Sequence, residues 1–109
     1  MTNEVRNKLV KYVTDHTPQT EILALIAEEA SELTHAALKF RRVLDATNPT
    51  PVTAEDACDA LVEEIADVLL LICPDGDKEL SAKIREIQDR KLRRWADRIV
   101  QKEINSDQD

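Results

Sequence analysis

Apolar residues recur along this chain at helical spacing, in four stretches parted by short polar breaks. Val5, Leu9, Tyr12 and Val13 share one side of a helix over about residues 3–15. The segment His16-Thr17-Pro18 is a start signal, with Thr17 as N-cap and Pro18 at the first helical position. A second helix is predicted from there to about Leu44. Residues 45–52 (DATNPTPV) hold two prolines and no periodicity, and predict a loop. Thr53, with Asp56 three residues on, resembles a capping arrangement and opens a third helix that ends near Cys73. Pro74-Asp75-Gly76 predicts a turn, and a fourth helix runs from about Asp77 to Ile104. Residues 105–109 are expected to fray.

Some acids stand where this pattern wants apolar side chains. On the second helix, Ile22, Ile26, Leu33, Ala36, Phe40 and Leu44 form the stripe, and Glu29 fills its one wide gap. At about 100° per residue, Glu29 falls within about 30° of the stripe's centre. Glu32 lies on the edge, beside Leu25 and Val43, while Glu28 turns toward the polar side. On the third helix the stripe is Ala54, Ala57, Leu61, Ile65, Val68 and Ile72, with Glu64 inside it. Asp67 interrupts IADVLLLI, a segment apolar on almost every side and so buried in a core or at a subunit interface. Val62 and Leu70 point away from the main stripe, which fits burial against a partner chain.

A buried carboxylate carries a heavy desolvation penalty that something must offset. Pairing with Lys or Arg would serve for one acid. Here four acids form an i, i+3 pair on each of two helices, without an obvious matching set of core-facing bases. Carboxylates so close also raise one another's pKa. A divalent cation held by their oxygens relieves all four together. An all-oxygen set suits Mg²⁺, with Mn²⁺ as a substitute, better than Zn²⁺.

Length and composition narrow the picture. At 109 residues, with one Gly and four Pro, the chain is read as a single all-α domain over residues 1–109. Its 22 acids against 15 bases leave a net charge of −7, which disfavours bulk nucleic-acid binding. A nucleotide could bind only where cations offset the acids locally. No apolar run is long enough to span a membrane, and the charged, amphipathic N-terminus lacks the apolar core of a secretion signal. A cytoplasmic protein is expected. Cys58 and Cys73 lack metal-ligand spacing and are read as small buried hydrophobes.

Glu28-Glu29-Ala30-Ser31-Glu32 and Glu63-Glu64-Ile65-Ala66-Asp67 resemble the paired ExxE and ExxD motifs of the MazG-like, all-α nucleoside triphosphate pyrophosphohydrolases. The resemblance spans IAEEASELTHAALKFRR through LVEEIADVLLLI, roughly the middle half of the chain. It implies a four-helix bundle whose two long central helices carry a metal site. It also implies a homodimer or homotetramer that splits a nucleoside triphosphate into monophosphate and pyrophosphate with Mg²⁺. Carried over position by position, Glu29, Glu32, Glu64 and Asp67 are the metal ligands and catalytic carboxylates; Glu28 and Glu63 have no assured role. The stretch between the motifs is longer than the family's, and the 45–52 loop absorbs the excess. The basic segment KLRRW on the fourth helix is a loose match to the family's, and makes Lys91 and Arg94 the residues for substrate phosphate.

Other classes were weighed. Glu32-Leu33-Thr34-His35 has the ExxH form of di-iron bundles, but that site needs the motif from two helices, and only His16 and His35 exist. A non-catalytic helical oligomerisation or nucleotide-binding module, its acids structural, is the alternative that the helix pattern leaves open.

Overall fold

The computed structural model describes residues 1–47, 51–74 and 76–107. Helices α1 (Asn3–His16), α2 (Gln19–Asp45), α3 (Ala54–Ile72) and α4 (Lys78–Asp107) make up the fold, with no strand among the described residues. No helix is long and apolar enough to cross a membrane.

Local chemistry explains most boundaries. Thr2 Oγ1 accepts from the Val5 amide at the start of α1, and Thr53 Oγ1 accepts from the Asp56 amide at the start of α3. Asp77 does the same for α4, its carboxylate taking the Glu79 and Leu80 amides. The start of α2 departs from expectation. Pro18, not Thr17, is its N-cap, because ψ of 144° keeps Pro18 extended, and its carbonyl receives the Glu21 and Ile22 amides. Thr17 instead closes α1. Helix α2 ends on Ala46 in the left-handed region, φ 54° and ψ 25°. There Asp45 accepts from both the amide and hydroxyl of Thr47. These two bonds, with Arg41 and Arg42 nearby, hold the Asp45 carboxyl below the usual range. The predicted 45–52 loop and 74–76 turn each include positions outside the described residues. Helix α4 continues through Asn105, Ser106 and Asp107, where fraying was expected.

The chain forms two compact units, Met1–Asp75 and Gly76–Asp109. In the first, α2 and α3 pack directly on each other. An apolar groove of about 340 Å³ runs where α1 faces the start of α2 and the end of α3, lined by residues such as Leu9, Val13, Ile22, Leu25 and Leu70. The second unit is the helix α4.

Both packed helices obey one spacing rule. Ile22, Ile26, Glu29, Leu33, Ala36, Phe40 and Val43 are the half-buried row of α2, alternating steps of four and three. Ala57, Leu61, Glu64, Val68 and Leu71 are the corresponding row of α3. Ala57, 2 % exposed, is the one fully buried side chain among the described residues, and its small size suits the close approach of two helices. The α3 row lies about 50° around the helix from the stripe anticipated by periodicity. Accordingly Ala54, Ile65 and Ile72 are exposed rather than core, as is Leu44 on α2. The cysteines Cys58 and Cys73 are only half-buried, since each lies to the side of the α3 row or at its end.

Candidate functional site

Each packed row carries a carboxylate near its middle. Glu29 occupies a seam position of α2 and Glu64 a seam position of α3, where side chains interdigitate with the facing helix. Asp67 follows Glu64 by three residues, so it lies on the same side of α3, one turn along. Oxygens of Glu29, Glu64 and Asp67 all lie within 4.8 Å of one another, and all three residues are half-buried.

Glu64 is the most constrained of the three. Its Oε2 is sealed from solvent and has no hydrogen-bond partner. Withdrawal from water pushes the Glu64 carboxyl above the usual carboxylate range, and the charges of Asp67, Glu29, Glu32 and Glu63 push it further the same way. The ion pairs among the described residues join Lys8 to Glu4, Lys11 to Asp15, Arg41 to Asp45 and Arg85 to Asp89, all exposed i, i+4 pairs. Among the described residues of the unit Met1–Asp75, none of these pairs reaches the acids in the seam.

The other residues predicted for the site fall around this trio or elsewhere. Glu32 is exposed and stands outside the close cluster, although its charge is felt at Glu64. Glu63, which the sequence left without a role, adds like charge at Glu64 from an exposed position. Glu28 is exposed. On α4, Lys91 and Arg94 are exposed and, with Trp95 and Arg98, line one shallow depression.

Three carboxylate oxygens this close, one of them sealed from solvent, form an electronegative cluster. Such a cluster could offer oxygen ligands to a small divalent ion. Mg²⁺ and Mn²⁺ fit the donor set; with no Cys or His in the cluster, Zn²⁺ does not. Comparison of the chain with family models, with curated proteins and with solved structures found no match.

Proposed function

We propose that this chain is a Mg²⁺-dependent nucleotide pyrophosphohydrolase, cleaving a ribo- or deoxyribonucleoside triphosphate to monophosphate and pyrophosphate. The observation that carries the reading is Glu64 Oε2, a carboxylate oxygen sealed from solvent and without a hydrogen-bond partner among the described residues, set beside Glu29 and Asp67. A seam of this kind is costly unless a cation occupies it. The motif resemblance to MazG-like enzymes supplies the reaction, and the fit of the trio to a hard cation supplies its cofactor.

Glu29, Glu64 and Asp67 hold the ion, with Glu32 as the fourth acid assigned to it. When bound, the ion supplies Lewis-acid chemistry: it neutralises phosphate charge and acidifies water. A carboxylate not taken up in holding it accepts the proton of the attacking water. The half-closed seam also sharpens every charge interaction within it by excluding solvent. Lys91 and Arg94 are assigned to outer phosphate oxygens, where ionised donors form short, strong hydrogen bonds.

A homodimer or homotetramer in the cytoplasm completes the reading. Val62, Ile65, Leu69 and Ile72 form a row along α3 that is 39–58 % exposed, and such a row suits burial against a second copy. The same row favours the alternative, a non-catalytic helical oligomerisation module. The deciding experiment is pyrophosphate release from a panel of canonical and modified NTPs and dNTPs, with Mg²⁺ and with EDTA. Metal-dependent release from one or a few members is expected. Silence across the panel in both conditions would return the acids to a structural role and favour the module. Nucleotide-pool housecleaning is the biological setting such an activity fits.

A further inference from the structure

The basic residues near the middle of α4 are arranged unlike those elsewhere in the chain. Lys91, Arg94 and Arg98 share one face with Trp95, within about 100° of arc and about 10 Å of helix axis. Asp97 and Glu103 fall on the other sides of the helix by the same angular count, while Asp89 lines an adjoining depression with Arg85, Lys91 and Trp95. None of these three bases is in an ion pair among the described residues, whereas Arg85, one turn earlier, is 3.5 Å from Asp89. Trp95 is 65 % exposed and turns an indole toward the same depression. In a chain of net charge −7, this is a local reversal of sign with an aromatic side chain at its edge.

We infer that this face binds a single nucleotide, with the base stacked on Trp95 and phosphate oxygens on Arg94, Arg98 and Lys91. The inference takes its ligand class from the nucleotide reading above and adds the residue that engages the base. Stacking needs only a π face, so recognition here is tolerant of base identity, and guanidinium groups match phosphate oxygens two at a time. A nucleic-acid strand fits less well: it needs several platforms and a basic track, and the chain offers one tryptophan and an acidic remainder.

Trp95 is the chain's only tryptophan, so its fluorescence reports on this face alone. The experiment is titration of the full-length protein with ATP in EDTA, which prevents turnover, followed by tripolyphosphate as a base-free competitor. Saturable quenching by ATP is expected, with tripolyphosphate displacing ATP while quenching far less itself. The double variant Arg94→Gln/Arg98→Gln, both exposed positions, should weaken ATP about tenfold or more with helix content unchanged. No quenching up to about 1 mM ATP, near the upper end of ordinary nucleotide affinities, would overturn the inference. So would a single-stranded oligonucleotide that binds more tightly than ATP. Quenching without Mg²⁺-dependent pyrophosphate release retains this face and removes the hydrolase reading. Release without quenching does the reverse.

Discussion

Glu29 and Glu64 sit in the seam where α2 packs on α3, whereas Lys91, Arg94 and Arg98 stand in water on one face of α4. Both sets lack an ion pair among the described residues, but for different reasons and with different consequences. An exposed base without a partner loses little, because water solvates it. A carboxylate oxygen sealed from water and without a donor is a standing cost to the fold. On the proposed reading, a cation would relieve the acidic region and an anion would engage the basic one. Sign of charge alone does not separate a functional group from a solubilising one; the degree of withdrawal from water does.

The comparison breaks most visibly at the acids. Glu29→Ala or Asp67→Ala should lower Mg²⁺-dependent pyrophosphate release by a thousandfold or more, about 4 kcal/mol of barrier, while far-ultraviolet circular dichroism stays unchanged. Full activity in either variant would remove the acids from the chemistry. Neutralising the other region should act on binding instead. Lys91→Gln/Arg94→Gln is expected to raise KM about ten- to a hundredfold, as the loss of charge-assisted hydrogen bonds to phosphate requires. The Mg²⁺-dependent rise in Tm of this variant should match the wild type. A variant that lost both responses would show that the two regions are not separable.

The seam itself sharpens the comparison further. Ala57 is buried at 2 % exposure, and Ala57→Leu overfills the place where the helices pack, at about 1–3 kcal/mol. Chemical denaturation measures that loss. Because α2 and α3 are thereby forced apart, the affinity for Mg²⁺ should fall along with stability, while ATP quenching of Trp95 persists. Loss of stability with unchanged Mg²⁺ affinity would show that the acids do not depend on the packing of this pair.

Much of this was legible from the chain, because helices announce their ends locally. Thr53 and Asp77 cap as side-chain chemistry dictates, and Glu29 lies at the centre of its row because α2 is regular from end to end. What periodicity could not supply was rotation. On α3 nearly every side is apolar, so the stripe could be drawn through Ile65 and Ile72, although packing selected Glu64 and Leu71. Glu64 lies inside the stripe on either drawing, and the rotation only brings it nearer the centre of the packed row. On α2, Glu32 is exposed at the rim, as its place on the edge of the stripe had indicated. Pro18 displaced the start of α2 by a residue because its extended ψ, not its fixed φ, decides where a helix begins.

Glu64 offers the most discriminating test, since its charge and its ligand role can be removed together without changing its shape. Its carboxyl is raised above the ordinary range, so the ionised form is disfavoured in the folded state. Without metal, the wild type therefore loses stability as pH rises from the ordinary carboxylate range through the raised Glu64 value. Below that range the penalty is absent. Asp45, whose carboxyl is lowered, contributes with the opposite sign, and it does so equally in both proteins. The measurement is the Tm of wild type and Glu64→Gln at neutral pH, titrated with Mg²⁺ in the absence of nucleotide. Glu64→Gln should have the higher metal-free Tm, and a saturable rise with Mg²⁺ is expected in the wild type alone. At a hundred times its Kd a bound ion adds about 2.7 kcal/mol, a shift of several degrees or more. A wild-type Tm indifferent to Mg²⁺, or an equal rise in both proteins, would contradict a metal role for Glu64.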